Sequence, residues 1–159
     1  MRILRLTAFL SLSAGLAGSL AAQAPLVVSG LPDAAPLAVS AVRGDRSLDV
    51  VVNLQDGWHL YGRDTGGGQP VVIDVVGGAF AADGALVLPM DAEGQITGEA
   101  RLSLPLKRVG AGDQLHAQMR FMVCDALECL PPITLEISSG AATKVLLVGI
   151  KRVPEDLPQ

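Results

Sequence analysis

The two cysteines of this chain are the residues best suited to do chemistry. Cys124 and Cys129 are separated only by residues 125–128, so their sulfurs can bridge. A thiolate can attack such a bridge in line when the loop that carries it is exposed. Pro131 and Pro132 follow directly, and they remove two backbone donors and stiffen the exit of the loop. This spacing predicts a cysteine pair that takes part in thiol-disulfide exchange, with Cys129 held in a fixed orientation toward an incoming partner.

Charged residues beside the pair should set its reactivity. Asp125 and Glu128 place negative charge next to the sulfurs, which should raise the pKa of the thiols. Arg120, on the same face of the preceding predicted strand, should partly oppose this effect. We therefore hypothesise that the reduced pair reacts slowly with small molecules and mainly within a docked protein complex. Rapid alkylation by iodoacetamide at neutral pH would contradict this hypothesis.

A purely structural disulfide is the first alternative. Closing so small a ring removes little entropy from the unfolded chain, worth about 2 kcal/mol. A domain of this size should also build an adequate core without a cross-link. Local structural disulfides are nevertheless common in exported proteins. A non-redox binding or structural module therefore stays open beside the redox interpretation.

Copper binding is the second alternative. His116, Met119 and Met122 lie near the two cysteines in sequence, and thiolate and thioether ligands suit Cu(I). The period of two in a strand turns Met119 away from His116 and Met122, and methionine more often fills a core. We therefore expect no metal site.

The N-terminus has the features of a secretory signal. Residues 1–21 combine Arg2 and Arg5 with an apolar run and small residues before the expected cleavage site. Residues 22–159 would then form a single domain in the periplasm, where a disulfide can form. An uncleaved anchor is the alternative. No span is expected in the mature chain, whose longest late apolar run is residues 145–150.

The composition of the chain limits the possible fold classes and the kinds of partner. The chain has 159 residues, is 50% hydrophobic and carries a net charge of -4, which fits a globular domain and makes nucleic acid a poor partner. No phosphate-binding or hydrolase motif occurs, and no cofactor is expected. Short apolar runs between turn residues predict an all-β two-sheet sandwich, with an open barrel as the alternative. The predicted strands are residues 48–54, 58–61, 71–76, 85–88, 100–107, 115–123, 133–137 and 144–150.

Alternation in the strand over residues 115–123 predicts which side chains enter the core. Leu115, Phe121 and Val123 fall on the core face, whereas Cys124 falls on the other face. The cysteines should therefore flank a hairpin loop. His59 is interpreted as a partly buried structural residue in an earlier strand.

Four stretches together make the sequence recognisable. They are DGWHLY at residues 56–61, the glycine-rich break ending in Pro70, LPLKRVGAGDQLHAQMRF at residues 104–121 and VCDALECLPP at residues 123–132. With them the chain resembles the N-terminal periplasmic domain of the thiol:disulfide interchange protein DsbD over residues 36–138. The last of these stretches is the most specific of the four. The tail, residues 139–159, has no clear match in the family.

The resemblance implies a fold and a redox role. It implies an immunoglobulin-like β-sandwich whose cysteine pair takes electrons from a membrane-embedded or thioredoxin-like donor. The pair would hand them to oxidised periplasmic proteins of thioredoxin fold, such as an isomerase or a cytochrome c maturation factor. By the same resemblance, Cys129 would form the mixed disulfide and Cys124 would resolve it, as a component of a thiol-disulfide oxidoreductase system.

Two departures from the family pattern bear on this role. In well-studied members an acidic, aromatic-bearing loop caps the disulfide; the corresponding residues 90–98 keep Asp91 and Glu93 but contain no aromatic residue. DsbD also continues into a transmembrane region and a thioredoxin-like domain, whereas this sequence ends at Gln159 with neither. We therefore expect a relay through separate partner proteins.

Overall fold

The computed structural model describes residues 24–139, which form β-strands and no helix. All strand pairings are antiparallel. The strands within the described residues are β1 (Ala24–Ser29), β2 (Leu37–Arg43), β3 (Ser47–Leu54), β4 (His59–Tyr61), β5 (Val72–Gly78), β6 (Phe80–Ala82), β7 (Gln95–Thr97), β8 (Glu99–Arg108), β9 (Leu115–Phe121), β10 (Val123–Cys124) and β11 (Ile133–Ser138).

Most strands form two layers that are joined by β1. The order along the large sheet is β5-β9-β11-β1-β2-β3-β8-β6. Residues 24–26 of β1 pair with β2 and residues 27–29 pair with β11, so this strand passes from one layer to the other. A separate small sheet has the order β10-β4-β7. This arrangement is the all-β, immunoglobulin-like sandwich that the sequence predicts.

Strict alternation of apolar residues builds the core between the layers. In β9 the predicted inward face is confirmed, since alternate residues from Leu115 to Phe121 are fully buried. In β3 and β8 the inward residues are also buried, as the period of two requires. They are Leu48, Val50, Val52 and Leu54 in β3 and Ala100, Leu102, Leu104 and Leu106 in β8.

Several elements differ from the predicted strands. Strands β1, β2, β6, β7 and β10 were not predicted, and residues 85–88 form only an isolated bridge, between Val87 and Ser103. In β2 alanine and valine occupy both faces, which weakens the alternation signal; β6, β7 and β10 are too short to show one. The signal sequence over residues 1–21 and the strand at residues 144–150 lie outside the described residues.

The end of β9 is where the predicted strand divides. The alternation predicts one strand that continues to Val123, but the regular pairing stops at Phe121. After Met122 the chain leaves the large sheet, and β10 pairs instead with β4 in the small sheet. This change of partner brings the first cysteine beside residues that are about 60 positions earlier in the chain.

Candidate functional site

Cys124 and Cys129 form a disulfide that closes a tight hairpin. The two Cα atoms lie 4.0 Å apart, and the residues form an antiparallel bridge. The Asp125 N–H donates to the Glu128 carbonyl oxygen (2.9 Å), and the Leu130 N–H donates to the Val123 carbonyl oxygen (2.9 Å). The predicted hairpin loop with a cysteine at each end is therefore confirmed.

Asp125 organises the loop between the cysteines. Its Oδ1 accepts hydrogen bonds from the N–H groups of Leu127 (2.7 Å) and Glu128 (2.8 Å). The donors at Glu128 and Leu127, together with the nearby His59, lower the pKa of the Asp125 carboxyl from its ordinary 3.8. The carboxylate thus holds the loop in one conformation, besides placing a negative charge beside the sulfurs.

The two cysteines differ sharply in exposure. Cys124 is only 1% exposed, whereas Cys129 is exposed at the end of the hairpin. Cys124 is not part of the main hydrophobic core cluster, in line with its predicted face, but it is buried, and Gly68 lies next to its sulfur. The disulfide therefore joins a buried residue to an exposed one.

The glycine-rich segment, residues 66–68, lies against the disulfide. A Cβ on Gly68 would lie 3.4 Å from the Cys124 sulfur and 2.5 Å from the Tyr61 ring, so only glycine fits this narrow space. The carbonyl oxygen of Gly67 lies 3.7 Å from the Cys129 sulfur. From the sequence this segment is expected to be only a flexible break, because a contact between positions so far apart leaves no local pattern.

Strand β4 supplies the other neighbours of Cys124. His59 pairs directly with Cys124 across the small sheet, and its ring packs edge-on against Tyr61, with centroids 5.0 Å apart. His59 is 9% exposed, and within the described residues its Nε2 is buried without a hydrogen-bond partner. Its predicted burial is confirmed, but its place beside the disulfide was not foreseen.

Arg120, one of the predicted modulators, lies on an outer face of the large sheet. Its guanidinium donates to the Asp74 carboxylate of β5 over 2.9 Å, and both side chains are half exposed. This ion pair gives Arg120 a carboxylate partner in the neighbouring strand. Glu128 is exposed in the disulfide loop.

Residues 90–98, which align with the family's cap, form a turn followed by β7. The Oδ1 of Asp91 accepts from the Gln95 N–H (2.8 Å), and Arg63 donates to the Ala92 carbonyl oxygen. Asp91 and the neighbouring Glu93 are exposed. The Gly62 N–H donates to the Gly94 carbonyl oxygen and so attaches this turn to the chain after β4, whereas the segment that lies against the two sulfurs is residues 66–68.

An apolar cavity of about 400 Å³ opens beside the disulfide loop. The predicted site residue Pro131 is one of its walls, and Leu130, next to Cys129, is another. The opposite wall comes from the chain between β1 and β2, including Gly30, Pro32 and Ala35. The lining of the cavity therefore begins one residue after Cys129.

Residues 24–139 show neither a metal-binding cluster nor a membrane-spanning helix. In that range no three His, Cys, Asp or Glu side chains come together in a way that could hold a metal ion. The same range contains no helix long and apolar enough to cross a bilayer. The two cysteine sulfurs are bonded to each other, so neither is a thiolate in this state.

Comparison with known proteins identifies the family. A family model described as thiol:disulfide interchange protein DsbD, N-terminal, matches residues 30–140. The chain belongs to this family. The DsbD resemblance predicted from the sequence is thereby confirmed, and membership together with the bonded cysteine pair supports thiol-disulfide interchange in general. The DsbD N-terminal family also implies thioredoxin-like redox partners and a periplasmic setting.

One solved structure similar to this DsbD-family chain is the N-terminal domain of Neisseria meningitidis DsbD in the reduced form. The two are 19% identical, with a TM-score of 0.45, and the match covers 70% of this chain and 91% of the other. No curated protein matches the chain.

Proposed function

We propose that the protein relays electrons through the Cys124–Cys129 pair. The donor is a membrane-embedded or thioredoxin-like protein, and the acceptors are oxidised periplasmic proteins of thioredoxin fold. The observation that carries this proposal is the unequal exposure of the two cysteine residues, one buried and one exposed, within a small hairpin.

The exposed sulfur is the one that a partner would attack. An incoming thiolate bonds to the Cys129 sulfur, the bond between the two cysteines breaks, and its electron pair goes to Cys124 as a thiolate. A second thiolate of the donor then releases Cys129, which leaves the protein reduced and the donor oxidised. The exposure of Cys129 supports its proposed role in forming the mixed disulfide.

Transfer to the acceptor follows the reverse order. The Cys129 thiolate attacks the acceptor disulfide, and one acceptor sulfur leaves as a thiolate. Cys124 then attacks the Cys129 sulfur, which re-forms the disulfide and releases the second acceptor thiolate. Two electrons thus pass to the acceptor, and its thiolates take up protons from solvent.

The surface around Cys129 favours a protein partner over a small molecule. Leu127, at the tip of the hairpin, is 93% exposed, and the apolar cavity with Leu130 and Pro131 lies beside the same loop. A docked protein would remove this apolar surface from water. The contact would also hold the attacking thiolate in line with the disulfide.

Export belongs to the same proposal. Residues 1–21 act as the signal peptide, cleavage follows Ala21, and residues 22–159 form the single periplasmic domain. The mass of the protein recovered from the periplasm tests this cleavage. A mass that retains residues 1–21 would refute it.

The reduction potential of the pair is the first test of the relay. Purified protein is equilibrated in dithiothreitol or glutathione buffers, and alkylated thiols are counted by mass. A value of roughly -270 to -120 mV is the range of disulfide exchange proteins, whereas a value below about -300 mV is typical of a structural bridge. We expect the first result, and the second would favour the structural module.

Trapping experiments test the separate roles of the cysteines. Cys124→Ala leaves the exposed sulfur without its resolving partner, so it should accumulate a mixed disulfide with an oxidised thioredoxin-fold protein. Cys129→Ala leaves only the buried sulfur and is the matched control, which should trap little. Equal trapping by the two variants would show that the roles are wrongly assigned.

A further inference from the structure

His59 lies on the same side of the small sheet as the buried sulfur. In the β4–β10 pair, His59 is directly opposite Cys124 and Leu60 is opposite Val123. Residues that face each other across antiparallel strands have Cβ atoms about 4.5–5.5 Å apart and side chains on the same face. Leu60 and Val123 belong to the core, so the imidazole and the sulfur share the other face.

The imidazole of His59 has an unused hydrogen-bonding group in the oxidised protein. Its Nε2 is buried and has no partner among the described residues. A buried polar atom without a partner lowers the stability of the fold, so its presence calls for an explanation. The sulfur of Cys124 is bonded within the disulfide and is only a weak acceptor in that state.

Opening the disulfide changes the sulfur into a strong acceptor. Reduction leaves Cys124 as a thiolate, and hydrogen bonds to an ionised acceptor are stronger than those to a neutral one. We propose that the Nε2–H of His59 donates a hydrogen bond to the Cys124 sulfur once the disulfide is open. This inference rests on the proposed relay. It gives His59 the role of stabilising the Cys124 sulfur, which is the leaving group when the disulfide opens and later resolves the mixed disulfide.

The proposed hydrogen bond acts in both half-reactions without moving a proton. When a donor thiolate attacks Cys129, the electron pair of the broken bond goes to Cys124, and the His59 N–H stabilises that charge. When Cys124 attacks Cys129 to release the acceptor, the same N–H has kept it in the reactive thiolate form. A lower energy of the thiolate should therefore favour the reduced state of the pair.

The charged and titratable surroundings make such a donor useful. Asp125 follows Cys124 directly and is close enough to His59 to interact with it electrostatically. Its negative charge opposes a second negative charge on the sulfur. The Tyr61 ring packs against the imidazole from the same strand, and Thr97, opposite His59 in β7, has no ionisable side chain. The imidazole is thus the nearby group on this face that can offset the carboxylate.

The test measures ionisation of Cys124 as the single thiol of a Cys129→Ser protein. Thiolate absorbance in the ultraviolet is followed as the pH is raised. His59→Phe keeps a ring but removes the donor, and it should raise the midpoint by about one pH unit, a tenfold loss of thiolate at a given pH. His59→Gln keeps an N–H donor, so its midpoint should lie between those of His59→Phe and the protein with His59.

The matched control is the second histidine. His116 is exposed in β9, where it pairs with Ser138 and Gly77, so His116→Phe should leave the midpoint unchanged. An unchanged or lower midpoint in His59→Phe would overturn the inference. So would equal shifts in His59→Phe and His116→Phe.

A measurement on the wild-type chain covers the case in which His59→Phe does not fold. Nitrogen NMR of the imidazole should show a change at Nε2 when the disulfide is reduced, whereas identical spectra in the two states would overturn the inference. Failure of the proposed role of His59 can be distinguished from failure of the proposed relay. A wild-type potential in the structural range refutes the relay, whereas a potential in the exchange range with unchanged Nε2 spectra refutes only the role of His59.

Discussion

Reducing the Cys124–Cys129 disulfide should weaken the domain only slightly and leave it folded. The cysteines are five positions apart, and the loop-closure entropy of so small a ring is worth about 2 kcal/mol. A domain of the size of residues 24–139 typically has a free energy of unfolding of about 6–17 kcal/mol. The hydrogen bond from Leu130 to Val123 closes the hairpin independently of the sulfurs. A relay needs this property, because both of its redox states must be folded.

Urea unfolding of the oxidised and reduced proteins measures the difference. Trp58 is the single tryptophan and packs against the core, so its fluorescence reports the loss of the fold. We expect similar urea dependence and a loss of about 2 kcal/mol on reduction. A variant with both cysteines changed to alanine, unfolded with and without reductant, controls for effects of the reductant itself. A loss above about 4 kcal/mol, or a reduced protein that is unfolded without urea, would refute the reasoning.

Two substitutions near the disulfide give further predictions. Gly68→Ala places a methyl group 2.5 Å from the Tyr61 ring and should displace residues 66–68 from the disulfide, so alkylation of reduced Cys124 should become faster. The control is Gly110→Ala, where the added methyl group makes only ordinary contacts. Equal alkylation rates in the two variants would contradict this prediction. Because the pKa of Asp125 is lowered in the fold, its ionised carboxylate stabilises the folded state above pH 3.8, and this contribution is lost as the pH falls through the folded-state pKa. Asp125→Asn should therefore make the urea midpoint depend less on pH in acid. An unchanged pH dependence would contradict this prediction.

Local alternation was sufficient to predict the strands that form the centre of the core. In β9 apolar residues alternate with polar ones throughout, and in β3 they do so except at Val51, so the inward face can be assigned from the sequence. The same argument fails for β2, where alanine and valine lie on both faces and Arg43 is buried with its guanidinium over the Phe80 ring, 4.6 Å from the centroid. From the sequence pattern alone, a charged residue such as Arg43 is assigned to the outward face of its strand.

The disulfide pairing of Cys124 with Cys129 could be predicted, but its environment could not. The spacing of Cys124 and Cys129 and the following prolines suffice to predict a bridged hairpin. The cover over Cys124 comes from Gly68, and its neighbour across the sheet is His59; both are far away in sequence. Such contacts depend on which strand β10 pairs with, and the point at which the chain changes sheets has no signature in the local pattern.

The position of the disulfide between a strand and a loop has a kinetic consequence. Cys124 belongs to β10 and is fixed by pairing with β4, whereas Cys129 lies at the loop end, next to the cavity wall at Leu130 and Pro131. Opening the bond can therefore leave the buried sulfur in place, because its strand is held by backbone hydrogen bonds that do not involve the cross-link. The rate of exchange should then depend on how a partner approaches Cys129 and how well the thiolate of Cys124 is stabilised, and little on unfolding of the domain.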